Sequence, residues 1–353
     1  MELAEDFLRF LAPGADRLVA LAGMLAKRSL PYSILPAAGA RHVLVRLGEG
    51  RPSLVLCAHY DRVEGSPGYL DNSAACLALA DFGARFRAAS RAVPRAASSM
   101  PVCAARAAVE TGAAMRGAAG ATGEGPAGAA GANGAGGMAG LWLLFTDGEE
   151  NPAEGGALSQ GSFSLARGLV AALAQAGAGA PGTTGAPGTT GSPGAAPAFL
   201  VFDVLGRGDR LLLSTAPGAL LARGGRGGEN LAERIEGLGR LVEGAAALGG
   251  LATPLRLPLP WSDDLGLVLG GLPALAVSLL PAAEAAGYAA YAAARRPGEA
   301  APGRLEAAGA WPPTWDLLHS PKDGPGLAEE APLRLAVALL DALPAAARSL
   351  GPA

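Results

Sequence analysis

Six short, nearly uninterrupted apolar runs constrain this chain more than any other feature: HVLVRLG (42–48), SLVLCAH (53–59), LWLLFT (141–146), AFLVFD (198–203), RLLLST (210–215) and PALAVSLL (273–280). Continuous runs of this length read as strands covered on both faces. Amphipathic helical patterns lie between several of them, at 73–88, 162–176, 230–248 and 331–347. The alternation predicts an α/β fold with a mixed, mainly parallel central sheet flanked by helices on both faces. Only a short loop separates the first two runs, so an antiparallel edge is expected there. Half of the 353 residues are hydrophobic and 17% are charged, which is enough apolar material for one large domain over 1–353.

Two segments break the pattern. Residues 88–140 drift into Ala/Gly repetition, so that an insertion is expected at about 90–139. Residues 177–197 carry Gly at every third position from Gly179 to Gly194. That period is the collagen signature, but so short a run within an α/β pattern reads as a flexible insertion. Each segment follows a helix and precedes a strand. In a parallel sheet such connections lie at the N-terminal edge, whereas ligands bind at the C-terminal ends of strands.

Composition removes several function classes. The formal charge is -3 with no Lys/Arg cluster, so no nucleic-acid partner is expected. The first thirty residues contain acids where a signal peptide would be basic, and read as two amphipathic helices. The apolar stretch 265–294 is cut by Pro273, Pro281 and Glu284 into pieces shorter than the ~20 residues of a bilayer span. It reads as a buried strand followed by an Ala-rich helix, and a cytoplasmic protein is the expectation. Cys57, Cys76 and Cys103 are odd in number with no CxxC spacing; the first two lie in apolar runs as small buried hydrophobes.

The chemistry gathers at the C-terminal ends of the runs. The second run ends in His59-x-Asp61, and Asp71 opens the helix that follows. LWLLF leads into Thr146-Asp147-Gly148-Glu149-Glu150, AFLVF ends in Asp203, and WPPTWDLLHSPKD supplies His319. Of the three histidines only His42 stands apart, at the start of a run, and it reads as structural. Each strand end taken singly is an ordinary polar terminus. Carboxylates converging on one edge of a buried sheet, however, repel one another and resist desolvation. Cations relieve both.

Two imidazoles with several carboxylates suit zinc, or manganese or cobalt, better than calcium or magnesium. Charge counting favours two divalent ions, balanced by Asp71, Glu150, Asp203 and a hydroxide. A carboxylate between ions about 3.5–4 Å apart can bridge them. In an extended chain residues i and i+2 point to the same side, which sets Asp61 behind His59 to fix its tautomer. Adjacent residues point apart, so one of Glu149 and Glu150 can hold metal while the other faces a water as base.

The ordered set HYDRVEGSPGYLDNSA, LFTDGEEN with the later Gly161-Ser162, FDVLG, GLPAL and LHSPKD resembles the di-zinc aminopeptidases of metallopeptidase family twenty-eight, which also contains the glutaminyl cyclases. The matching stretches run from about residue 53 to 325. The resemblance implies a zinc-exopeptidase-like three-layer sandwich in which His59 and Asp203 bind one zinc, Glu150 and His319 the other, and Asp71 bridges them. It implies Glu149 as general base, Asp61 as the residue that orients His59, and a cis Asp71–Asn72 peptide. The implied substrate is a peptide or aminoacyl compound, cleaved at its N-terminal bond. Ser262-Asp263-Asp264 departs from the family's Ser-Asp-His, and the loop 151–161 is longer than the family's.

Competing readings are a glutaminyl cyclase using one zinc, a lid-domain aminoacylase or carboxypeptidase, and a non-catalytic peptide-binding relative. The cyclases have Asp-Ser where this chain has Asp71-Asn72, and no lid domain is evident. Deletion of 179–196 is expected to leave kcat within about twofold, measured on the shortened protein, since surface insertions of this composition are tolerated.

Overall fold

The computed structural model describes residues 4–48, 52–92, 140–150, 156–178, 196–222, 228–295 and 309–349. Eight strands form one mixed sheet: β1 (Tyr32–Ala37), β2 (Ala40–Arg46), β3 (Leu54–His59), β4 (Leu141–Thr146), β5 (Ala198–Phe202), β6 (Arg210–Ser214), β7 (Leu255–Leu257) and β8 (Ala274–Leu280). Their spatial order is β1-β2-β4-β3-β5-β8-β6-β7. The central run β4-β3-β5-β8 is parallel throughout, as is β6-β7, and the other neighbours are antiparallel. All six apolar runs lie in this sheet. β3 and β8 are buried along their whole length, as strands covered on both faces must be.

The expected antiparallel pairing of the first two runs is not what forms. β2 pairs with β1 on one side and β4 on the other, and β4 separates it from β3. The partner of β2 is the edge strand YSILPA, whose residues are exposed or half-buried and which therefore lacks an apolar run. Its turn, Ala38-Gly39, has φ of 47° and 90°, the left-handed pair that a tight two-residue hairpin requires.

Nine helices are present among the described residues: α1 (Glu5–Leu11), α2 (Arg17–Lys27), α3 (Ala74–Ala92), α4 (Gly161–Ala178), α5 (Ala216–Ala222), α6 (Glu229–Leu248), α7 (Asp263–Leu269), α8 (Ala282–Ala293) and α9 (Glu330–Ser349). α9 packs on α3 and α6, and α4 packs on α7. β5 touches α6 from the first group and α7 from the second, so the sheet lies between two helical layers. The stretch 265–294 is divided among α7, β8 and α8. No helix among the described residues is long and apolar enough to cross a membrane.

Of the two Ala/Gly-rich segments, residues 93–139, with Cys103, and 179–195 lie outside the described residues, while 90–92 end α3 and 177–178 end α4. The chain enters β4 through Gly140 and β5 through Pro197, at the edge opposite His59, Thr146 and Asp203. Cys57 and Cys76 are buried free thiols.

Leu340 is fully buried on α9. Leu340→Ala is expected to lower unfolding free energy by about 2–5 kcal/mol, through lost burial and the cavity left behind. Urea denaturation would read this as a lower midpoint.

Candidate metal centre

The parallel register sets His59 beside Thr146, so the end of β3 and the turn Asp147–Glu150 after β4 open from one edge of the sheet. Asp203 follows β5 at the same edge. Asp71 comes from the turn Tyr69–Ser73 leading into α3, in which Asp71 and Asn72 have non-helical backbone angles. That turn is tied to β5 by Asn72, whose Nδ2 donates to the Phe202 carbonyl at 2.8 Å; its Asp71–Asn72 peptide is cis. His319 arrives from the segment after α8 with φ of 55°, as does Val204 beside Asp203. A non-glycine residue held there is strained, a feature that clusters at functional sites.

These elements bring the side chains into two groups that share Asp71. His59 Nε2 lies 3.0 Å from Asp71 Oδ1 and 3.6 Å from Asp203 Oδ1. His319 Nε2 lies 3.0 Å from Asp71 Oδ2 and 3.0 Å from Glu150 Oε2. Asp71 thus offers one oxygen to each group. The sets His59-Asp71-Asp203, Asp71-Glu150-His319 and His59-Glu149-Glu150 each have ligating atoms within 4.8 Å of one another. Asp61 stands behind His59, with Oδ1 3.6 Å from Nδ1. Its Oδ2 accepts from the Glu150 N–H at 3.0 Å, which joins the end of β3 to the acidic turn.

The electrostatics are those of a site that lacks positive charge. Burial pushes the His59 imidazole down, but Asp203, Asp61 and Asp71 outweigh it and hold the ring well above its ordinary value. Asp71 and Glu150 push His319 up to about 11. Burial raises the Asp71 carboxyl, but His319 and His59 bring it below its usual range. Burial drives Glu149 well above the usual carboxylate value and raises Glu150 to about 7. Yet both nitrogens of His59, Asp61 Oδ1, Glu150 Oε1 and Asp203 Oδ1 are buried without an aligned hydrogen-bond partner among the described residues. Contact distances without hydrogen-bond alignment suit atoms facing a common cation. Tetrahedral zinc ligands at about 2.0–2.1 Å from the ion stand about 3.3–3.4 Å apart, a spacing that the separations of 3.0 and 3.6 Å bracket. The imidazole–carboxylate donor set fits zinc.

Comparison with solved structures agrees at the level of the fold. The glutaminyl cyclase of Macrostomum lignano superposes with a TM-score of 0.51 at 14% identity, over 97% of this chain and 87% of that one. The chain shares its fold. Also similar are a Zn-dependent exopeptidase from Parabacteroides distasonis (TM-score 0.48, 13% identity, 96% of this chain and 94% of that one) and BSAP, a zinc aminopeptidase from Bacillus subtilis (TM-score 0.44, 13% identity). The BSAP match covers 86% of this chain but spans about half of the aminopeptidase, 49%. No family model matches the sequence, and no curated protein matches it.

Several residues that sequence reasoning passed over support the site. Asp323 is buried and clamps the Asp71 turn: Oδ1 accepts from Leu70 N at 2.6 Å, Oδ2 from Asp71 N at 3.2 Å, and its carbonyl from Tyr69 N at 3.1 Å. It lies four residues after His319, so one segment delivers both. Arg17 donates to the carbonyls of Tyr60 and Phe10 and to Ser73 Oγ, tying α1, β3 and the Asp71 turn together. Gln160 Nε2 donates to Glu149 Oε1 at 2.9 Å. Gly161 lets α4 start against the acidic turn, for a Cβ there would lie 1.9 Å from the Asp147 carbonyl oxygen. Of these, the Asp at the end of LHSPKD and Gly161 of the Gly161-Ser162 pair carried a sequence signal.

The departures from the family pattern turn inward. Asp263 accepts from Thr146 Oγ1, and Asp264 from Ala276 N at 3.1 Å. Burial raises them to about 6 and 7. Tyr288, too, is buried, with its ring 4.9 Å from Trp315, and Trp315 lies 4.9 Å from Trp311. That cluster anchors the segment leading to His319. Of the loop 151–161, residues 151–155 lie outside the described residues. His42 is buried, its Nδ1 accepting from Asp147 N at 3.2 Å, which suits a structural role.

His319 supplies a pH test on chelator-treated protein. Its folded-state value is raised from 6.5 to about 11, so its stabilising contribution is fully present below about pH 6.5 and is lost as pH rises through about 11. The stability margin of the parent over His319→Ala is expected to be largest near pH 6 and to vanish toward pH 11 in urea titrations.

Proposed function

We propose that this chain is a zinc-dependent exopeptidase that removes N-terminal residues from peptides. The observation that carries the proposal is the split carboxylate of Asp71, one oxygen toward His59 and one toward His319, with Glu149 alongside. His59 and Asp203 would hold one ion, Glu150 and His319 the second, and Asp71 would serve both. Manganese or cobalt would suit the same donors. Bound there, divalent cations would lower the pKa of a water to about 7 and polarise the scissile carbonyl.

The chain's own residues do the rest. Glu149, with its proton affinity raised by burial, takes a proton from water as it attacks the carbonyl carbon. The same carboxyl returns that proton to the amine as the C–N bond breaks, so acid and base balance within one turnover. Asp61 orients His59, and its grip on the Glu150 N–H keeps the acidic turn in register.

A second reading rests on the Asp71-Glu150-His319 group, which by itself is a complete three-ligand set. With one ion there, the chemistry would be glutaminyl cyclisation, an intramolecular acyl transfer that leaves His59 unliganded. A non-catalytic peptide-binding relative would need none of the chemistry that Glu149 offers.

Metal analysis by mass spectrometry, with assays of aminoacyl-p-nitroanilides against N-terminal glutaminyl peptides, separates the three. About two ions per chain and amide release support the peptidase; about one ion and cyclised product support the cyclase; no metal and no turnover leave a scaffold. Glu149→Ala is expected to lower kcat by about 10²–10⁴ with metal content unchanged, whereas His319→Ala is expected to lower metal content. Near-normal turnover in Glu149→Ala would remove its assignment as base.

A further inference from the structure

Gln160 makes the one hydrogen bond that reaches the Glu149 carboxylate among the described residues, from Nε2 to Oε1 at 2.9 Å. It is 5% exposed, and among the described residues its own Oε1 has no hydrogen-bond partner. A buried amide left half-satisfied is unfavourable unless its position serves another purpose. The packing around it is tight. Gly266 of α7 faces it, and a Cβ there would lie 2.9 Å from Gln160 Oε1 and 2.4 Å from Ser162 Oγ. The amide is therefore held between α7 and Glu149, with little freedom to turn.

Glu149 needs such a hold. Its carboxylate lies within 4.8 Å of the ligating atoms of His59 and Glu150, and a free glutamate has three side-chain torsions. An untethered Glu149 can swing among those atoms and become one more metal ligand, which would end its use as a base. We infer that Gln160 is the positioning residue for Glu149: its amide pins Oε1, keeps the carboxylate apart from the ligating atoms, and leaves the second oxygen for proton transfer. The inference rests on the proposed role of Glu149 and holds for peptide hydrolysis and cyclisation alike. The contact of Gln160 is with Glu149 Oε1, so it acts through Glu149. An amide suits the task because it donates without titrating, whereas a basic side chain would add charge and an acid would repel.

Gln160→Met keeps length and apolar volume and removes the donor. In zinc-loaded protein, kcat is expected to fall about 10- to 100-fold, the usual loss when a supporting partner of a metal site is removed. KM should stay within about threefold and metal content should match the parent. In the Glu149→Ala background the same change should have no further effect on residual kcat, because residues acting as a unit are not additive. A merely structural Gln160 would lower both backgrounds alike.

Two readouts do not need turnover. The cobalt-loaded Gln160→Met protein is expected to show a weaker visible absorption than the parent as Glu149 enters the coordination shell, with the parent spectrum regained in Gln160→Met/Glu149→Ala. Thermal unfolding of the four proteins should show non-additive midpoints for the pair. Unchanged kcat in Gln160→Met, additive midpoints, or a cobalt spectrum identical to the parent's would each overturn the inference. A parent that binds metal yet turns over neither substrate would instead remove the exopeptidase proposal. The midpoints and the cobalt spectra would then still decide the Gln160 contact.

Discussion

Negative charge crowded at the C-terminal edge of the sheet is the constraint on which the rest of this molecule depends. Asp61, Asp71, Glu149, Glu150, Asp203, Asp263 and Asp264 all come to that edge, and most are buried or half-buried. Burial alone would protonate such a cluster. Among the described residues only His59 and His319 answer it at contact distance, and both are driven toward the charged form. Imidazolium stands in weakly for what the geometry invites, because each Nε2 faces two carboxylate oxygens. A divalent ion at such a point meets several oxygens at once, which a single N–H cannot do.

Much of the surrounding architecture can be understood as holding repelling groups in place. Asp61 and Asp323 spend their carboxylates on backbone N–H groups, so their charge is used locally to fix the turns that carry Glu150 and Asp71. Asp264 does the same for β8. Arg17 is a buried cation that reaches no carboxylate within ion-pair distance among the described residues. It grips two carbonyls and a hydroxyl, and burial pulls it down to about 10, still charged at neutral pH. The left-handed backbone at His319 and Val204 shows that the support is strong enough to keep unfavourable conformations.

Sequence reasoning succeeded where the physical signal is local. An apolar run long enough to cross a covered sheet is visible residue by residue, and so is the polar group that ends it; that is how His59, Glu149, Glu150 and Asp203 stand out. It failed where the signal was absent or distant. β1 is an exposed edge with no apolar run, and the three-residue β7 is too short to leave a pattern. Arg17 and Asp323 contact backbone atoms far away in the chain, which any residue could offer, and Gln160 reaches Glu149 across a loop of no regular period. The residue types of Gln160 and Arg17 announce no such contact.

The sequence by itself determined the fold class, the strands of the covered centre, and the set of acids and imidazoles available for chemistry, because run length, amphipathic period and residue type are properties of neighbouring residues. Only the tertiary structure decided that β4 enters between β2 and β3, and that Asp71 turns one oxygen to each histidine. It also decided that Asp263 and Asp264 point inward and that Gln160 holds Glu149. Each of these depends on which surfaces bury one another across more than ten to two hundred residues of chain. That choice is made by packing, and packing is not written in any local stretch.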